Sequence, residues 1–299
     1  MSTHEYIEPQ TGQSAVYWQA PDLGQGDLLK ARYITHNFTR HTHEAFAIGI
    51  IEQGAEAFYY RRRNYIAPAG SIVVINPGEV HTGQAGDEAG WAYRMLYPEA
   101  SLLLNASAVT GWGSLPDFPE PVIWDPSLAD TIRRLHAILE TSEFPLERES
   151  ALLHALTTLV IRHASRGGPG SADRLAGYPA RPPGMRAACP AIERVREYIE
   201  SNFSVNIALS DLAEIGGLSA YHLLRMFKET TGLPPHAYQN QRRVAYGRKL
   251  IELGWPIAFA AAEAGFTDQS HFSRRFKGIY GITPGQFLRG RSGIAPVAQ

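Results

Sequence analysis

Two hydrophobic periods divide this chain of 299 residues. Up to about Tyr97 the apolar positions come in short runs: Ala15 to Trp18, Leu28 to Tyr33, Ala45 to Ile51, Ala55 to Tyr60, Ser71 to Ile75 and Trp91 to Leu96. The runs are aromatic or β-branched and are parted by turns such as Pro68-Ala-Gly70 and Asn76-Pro-Gly78, which predicts many short strands closing into a small β-barrel or jelly roll. Beyond residue 125 the period lengthens. Leu128, Ile132, Leu135 and Leu139 recur at helical steps, and after Phe144-Pro145 so do Leu152, Leu156 and Leu159, with Val160 and His163 alongside. A helical hairpin with two apolar stripes follows, and both stripes have to be buried, either on the chain's own barrel or on the same hairpin of a second chain.

Near the C-terminus one pattern occurs twice, 49 residues apart from His222 to His271. The first copy is Gly217-Leu-Ser-Ala-Tyr-His-Leu-Leu-Arg-Met-Phe-Lys228, closing with Gly232, Pro235 and Tyr238. The second is Gly265-Phe-Thr-Asp-Gln-Ser-His-Phe-Ser-Arg-Arg-Phe-Lys277, closing with Gly281, Pro284 and Phe287. Each glycine follows a short helical stretch (Ser210 to Ile215, Ile257 to Ala264), and each is followed by a Ser or Thr/Asp start signal opening a longer amphipathic helix. Helix, glycine turn, helix is the helix-turn-helix plan, built twice. Leu223 with Phe227, and Phe272 with Phe276, make the buried faces; the opposite faces carry groups able to reach base edges and phosphates. Between the copies, Pro235 to Leu253 reads as one helix with Arg242, Arg243, Arg248 and Lys249 on its charged side. At about 1.5 Å per residue it spans roughly 28 Å, close to the ~34 Å between successive major grooves on one face of a duplex.

Charge changes the picture further. Residues 188–291 carry 13 Lys/Arg against 9 Asp/Glu, a balance of +4, and residues 1–170 carry 12 against 19, a balance of −7. A basic C-terminal half suits a polyanion and an acidic N-terminal half does not. The stretch from Arg166-Gly-Gly-Pro-Gly170 to Ala188 has no hydrophobic period and reads as a linker. The expected organisation is therefore a barrel over 1–125, a helical hairpin over 126–166 for dimerisation, a linker over 167–188 and a double helix-turn-helix domain over 189–291. A single cysteine, Cys189, excludes an intramolecular disulfide, and without a signal peptide or an apolar run of spanning length the chain is expected to be soluble, cytoplasmic and free of membrane contact.

Ile192 to Arg289 resembles the DNA-binding domain of the AraC/XylS transcriptional regulators, through Gly265-Phe266, Ser270, Phe272-Ser273, Phe276-Lys277 and Gly281-Ile-Thr-Pro284. Ala260, Phe259 and the placing of Leu288 between Phe287 and Arg289 depart from that pattern and concern packing. The resemblance implies base reading by Tyr221, Leu224 and Arg225 in the first unit and by Ser270, His271 and Arg274 in the second. Gln269 joins them as a DNA contact, with Lys228, Arg275 and Lys277 on phosphates. It also implies a bacterial regulator that binds double-stranded DNA as a homodimer, touching RNA polymerase if it activates. Gly70-Ser-Ile-Val-Val-Ile-Asn-Pro-Gly-Glu-Val-His81 resembles the same family's cupin-like ligand-binding domain, implying a small-molecule effector in the barrel mouth. By position, His41, His43, Phe46, Glu79, His81, Tyr93 and Met95 line that pocket.

His41-Thr-His43 and His81 also match three of the histidines that hold metal in enzymatic cupins, and imidazoles suit zinc or iron. The glutamate that should follow His43 by four or five residues is replaced by Ala47 and Ile48, so pocket histidines without metal, and no cofactor, are expected. Arg61-Arg-Arg63 reads as a solvated hairpin tip. No nucleophile with a nearby base can be argued from spacing, so a non-enzymatic, effector-controlled transcriptional regulator is the expectation. A cupin-type metalloenzyme fused to a DNA-binding module is the alternative, and a barrel serving only as a dimerisation scaffold is a third.

Overall fold

A computed structural model describes residues 12–20, 26–166 and 190–291. The linker expected over 167–188, and Cys189, lie outside the described residues. The chain divides into two compact units, one β-rich and one helical.

The β-rich unit is built on β1 (Ser14–Ala20), β2 (Gly26–Tyr33), β3 (Phe38–His41), β4 (Ala47–Tyr60), β5 (Arg63–Pro68), β6 (Ile72–Ile75), β7 (His81–Ala85), β8 (Trp91–Tyr97), β9 (Pro116–Asp117), β10 (Val122–Ile123) and β11 (Ser165–Arg166). The main path runs β1-β2-β8-β4-β6-β10, with β5 and β7 also on β4, and β3 on β7. Two expected strands, Ala45 to Ile51 and Ala55 to Tyr60, are one strand: β4 continues through an irregularity between Ile51 and Gln53, so the polar interruption is a bulge and not a turn. Strands β3, β5 and β7 were not foreseen. They are short and polar, without the apolar runs that marked the others.

Alternation along the strands sorts side chains onto two faces. On one, Trp18, Leu28, Phe46, Ile48, Ile50, Ile72, Val74 and Leu96 form a single core with the helices α1 (Ala100–Ser107), α2 (Pro126–Thr141) and α3 (Pro145–His163). Leu128, Ile132, Leu135 and Leu139 of α2 and Leu152, Leu156 and Leu159 of α3 lie in that core. Both stripes of the hairpin are thus buried on their own barrel. Asp125 starts α2 by accepting from the Leu128 N–H at 3.0 Å, and also takes His163 at 2.9 Å and Arg162 at 3.1 Å, which clips the end of α3 to the start of α2. The His163 contact comes first among the interactions that hold the Asp125 carboxyl well below the usual range.

The helical unit contains α4 (Pro190–Ser201), α5 (Leu209–Gly216), α6 (Ala220–Thr231), α7 (Pro235–Glu252), α8 (Ile257–Glu263), α9 (Gln269–Tyr280) and α10 (Pro284–Gly290). Its core holds Ile192, Val195, Ile199, Leu223, Phe227, Val244, Ile251, Phe272, Phe276 and Phe287. Two of the four basic residues of α7 are structural. Arg243 is buried and donates to the carbonyls of Phe203 at 2.6 Å and Val205 at 2.9 Å, while Arg248 lies over the rings of Tyr280 and Phe287.

Candidate functional site

Each repeated unit is closed by a glycine in the left-handed region and opened by a side-chain cap. After α5, Gly217 has φ 63° and its N–H meets the Glu214 carbonyl at 3.0 Å. Ser219 then caps α6, accepting from the His222 N–H at 3.3 Å. After α8, Gly265 has φ 83°, and Asp268 caps α9, accepting from the His271 N–H at 2.7 Å. That backbone N–H is the first cause holding the Asp268 carboxyl below its ordinary value. In both helices the i, i+4 pair is fully buried (Leu223 with Phe227, Phe272 with Phe276), which fixes the rotation of the helix and turns the opposite face outward.

On α6 that outward face carries Tyr221, Leu224, Arg225 and Lys228, all exposed; Tyr221 is 79% accessible, unusual for so large an aromatic. Arg225 is paired with Glu229 one turn on, at 3.1 Å. On α9 the exposed residues are Gln269, Ser270, Arg274, Arg275 and Lys277, and His271 is half-buried with its ring edge-on to Phe266 and its Nε2 3.3 Å from the Arg275 guanidinium. All ten positions foreseen for DNA contact therefore lie on α6 or α9. Nearby, burial first and then the charges of Arg275, Arg243 and His271 lower the pKa of His236.

In the β-rich unit the lumen-facing side carries His81, Tyr93 and Met95, all buried. Tyr93 stacks on Trp91 at 6.1 Å and is hydrogen-bonded to Tyr33; its phenol, like that of Tyr33, is held well above the usual value chiefly by burial. The Met95 thioether occupies the space beside Gly49. His43 lies 5.0 Å from His81 and 5.2 Å from Tyr97, ring to ring. Phe46 is elsewhere. It packs edge-on against Phe118 in the core shared with the helices, on the opposite face of the sheet. Glu79 is tied to Arg61 at 3.0 Å, and Arg61 also reaches Asp117 at 2.7 Å. Arg61 and Arg62 do form the hairpin tip, with φ 44° and 67°, but Arg61 is a partly buried ion-pair centre and not a solvated charge.

His41, on β3, His43 and His81 each offer one imidazole nitrogen, all within 4.8 Å of one another. The Nδ1 of His41 contacts its neighbour's carbonyl at Thr39, 2.6 Å away, and that of His81 contacts the carbonyl of Glu79 at 2.9 Å. Burial keeps the His81 imidazole neutral down to about pH 4. Among the described residues this group has no carboxylate member, and Glu79, two residues before His81, is already committed to Arg61.

Sequence reasoning missed Tyr33, Trp91 and Glu56 on the same side. Tyr33 and Trp91 are paired across β2 and β8, and Glu56 shares the face of Phe58 and Tyr60 by alternation along β4. That alternation was the one available signal.

Comparison with known proteins follows the same division. Residues 24–156 match the AraC-like ligand binding domain and residues 212–290 a helix-turn-helix domain. The chain is 31% identical over 246 residues to YbfI of Bacillus subtilis, described as an uncharacterized HTH-type transcriptional regulator, covering 82% of this chain and 85% of that one. It is 30% identical over 271 residues to the virulence regulon transcriptional activator VirF of Yersinia enterocolitica, covering 87% and 95%. Among solved structures, apo ToxT of Vibrio cholerae, as a lysine-to-alanine variant, superimposes with a TM-score of 0.51 at 13% identity, over 93% of this chain and 96% of that one. This last likeness is one of fold. Among the described residues no helix is long and apolar enough to cross a membrane.

Proposed function

The chain belongs to the AraC/XylS family of transcriptional regulators, and on that premise we propose that α6 and α9 read two successive major grooves of one DNA site while the barrel lumen sets that binding through a small effector. The N-terminal unit is the family's ligand-binding domain and the C-terminal unit its helix-turn-helix DNA-binding domain. The observation that carries the groove assignment is the repetition of one capped helix with its apolar pair buried and its polar face exposed. Arg225 and Arg274 contact base edges, where a guanidinium can pair with guanine O6 and N7, and Leu224 and Tyr221 offer apolar surface to thymine methyls. Lys228, Arg275 and Lys277 neutralise phosphates.

The regulator works in the cytoplasm as a homodimer and has no catalytic role. Because the inner stripes of α2 and α3 are used up on the barrel, the dimer contact is assigned to the outer side of α3, where Leu146, Leu153 and Ile161 are exposed. Leu153→Glu should then give a monomer by light scattering; an unchanged mass would move the contact elsewhere. Metal analysis of the purified protein is expected to find well under one equivalent, unchanged in His43→Ala. Stoichiometric metal lost in that variant would favour the metalloenzyme alternative.

Footprinting the full-length protein on its selected site tests the groove reading. Each bound protomer is expected to protect two segments about one helical turn apart, and a single protected segment per protomer would contradict it. In an activator, the DNA-bound complex also contacts RNA polymerase, which a transcription assay with purified polymerase reads directly.

A further inference from the structure

Glu56 is an acid without a partner. It lies half-buried on β4, in register with Ala85 of β7 and Ala67 of β5. Beside it β7 is opened by Gly83: a Cβ there would stand 2.6 Å from the Glu56 Oε1 and 3.1 Å from the Phe38 ring. The carboxylate and the phenyl ring thus share the space that a side chain at 83 would fill. Next to them runs a continuous aromatic cluster. The Tyr33 ring lies 5.7 Å from Phe38, 4.7 Å from His36, 5.3 Å from Trp91 and 5.9 Å from Tyr93.

Buried acids come with donors, as Glu79 does with Arg61 in this same barrel. No hydrogen bond or ion pair from another described residue reaches Glu56, and desolvation, with no cation opposing it, pushes its carboxyl up to about 8. In the same cluster the Trp91 indole N–H is buried without an acceptor among the described residues. A neutral ligand can also hydrogen-bond to this carboxyl, but only a positive charge gains from both an ionised carboxylate and the negative faces of the aromatic rings beside it.

We propose that Glu56 anchors the effector and that the effector is a small organic cation, its charged nitrogen on the Glu56 carboxylate and over the Phe38 and Tyr33 rings. This rests on the effector-binding reading of the barrel and adds the chemical class of the ligand. Binding such a cation has to displace the proton of Glu56. Of the titratable groups facing it, Tyr33 on β2 and Tyr93 on β8 are held above their ordinary phenol values, and His81 on β7 is neutral down to about pH 4. None of these changes charge between pH 6 and 8. His36 lies beside Phe38, and His41 and His43 lie further along the lumen.

The test uses full-length protein and benzyltrimethylammonium, whose charge does not titrate, with phenylacetate and benzyl alcohol as anionic and neutral counterparts. The cation alone should raise the melting temperature saturably. Its dissociation constant should be at least tenfold weaker in Glu56→Gln and weaker in Phe38→Leu. Affinity in the native protein should rise with pH by up to about tenfold per unit below about 8 and then level off, persist in His36→Gln, and be flat in Glu56→Gln. Because Glu56→Gln removes a half-buried, unpaired acid, its own melting temperature should not fall below that of the native chain at neutral pH. Equal binding by Glu56→Gln, or no preference for the cation over phenylacetate, overturns the proposal. A phenylacetate response lost in Tyr93→Ala would do the same while leaving the effector reading intact. A cation that binds through Glu56 yet leaves DNA affinity and spacing unchanged would sustain the site and contradict the effector reading.

Discussion

The two helix-turn-helix units share their register from His222 and His271 onward, with one extra residue in the second turn, and differ in how they are fastened. In the first, Gly217 borders open space: a Cβ added there meets nothing within 4 Å. In the second, Gly265 presses on the neighbouring loop, where a Cβ would stand 2.0 Å from the Ser204 carbonyl oxygen, and Gly247 of α7 lies under Phe272, whose ring would be 2.6 Å from a Cβ. That loop is itself held to α7, since Arg243 and Gln239 both donate to the carbonyls of Phe203 and Val205. The second unit is therefore wedged against the connecting helix, and the first is held by its cap and its buried Leu223 and Phe227. Repetition of a pattern conserves the plan of an element without conserving its mechanical role. The reading faces diverge too: an exposed tyrosine and leucine beside a paired arginine in one, a polar Ser270, His271 and Arg274 in the other.

The sharpest way to break this comparison is to substitute the two turn glycines. Gly265→Ala should cost the helical unit about 3 kcal/mol or more, because backbone has to move as well as adopt a strained φ; Gly217→Ala should cost about 1 kcal/mol, the left-handed penalty alone. Equal losses in chemical denaturation would show the fastening to be the same. Smaller effects come from the reading faces. Arg225→Ala and Arg274→Ala should each lose about 1–3 kcal/mol of discrimination at one base position, while Lys277→Ala should weaken specific and random duplexes alike and lower the salt slope by about one. Equal losses on specific and random DNA for both arginine variants would sink the base-reading assignment.

The ion pair on α6 gives a finer contrast. Arg225 has to leave Glu229 to reach a base, so Glu229→Gln should tighten binding by about 0.3–0.5 kcal/mol. Gel-shift titrations resolve a change of that size, and weaker binding would contradict the expectation. The caps differ least, and only with pH. Asp268 is held below its unfolded value by the His271 N–H, so its contribution is present above the unfolded pKa and is lost as pH falls through the folded one. The uncharged Ser219 cap has no such dependence. Acid melts of Asp268→Ser should lie flatter than those of the native chain as pH falls through the carboxylate range and below it; parallel curves would remove the distinction.

How much could be read from the sequence follows from how local each signal is. Glycine turns, Ser219 and Asp268 as caps, and proline stops act within a few residues, and they located both reading helices and placed the end of the connecting helix within one residue of Glu252. Strands β3, β5 and β7 lack apolar runs because their stability comes from pairing with β4 and with each other, which no local window contains. Position along the chain puts Phe46 in the pocket, yet it lies on the face that packs against Phe118. Glu56 stands between Ala55 and Ala57 with nothing local to mark it. Its isolation depends on Gly83 and on aromatic residues from three other segments, and Arg243 likewise became structural only through carbonyls forty residues away.

If one chain reads two grooves at a spacing set by α7, inserting DNA between the two half-sites has to break the complex. With a duplex chosen by repeated selection from random sequence, adding about five base pairs between the two protected segments rotates one half-site to the opposite face. Because α7 is a single helix of eighteen residues, roughly 27 Å long at about 1.5 Å each, it cannot follow. Affinity of the full-length protein is expected to fall at least tenfold, to that of one half-site alone. Undiminished affinity on the lengthened duplex would contradict the account.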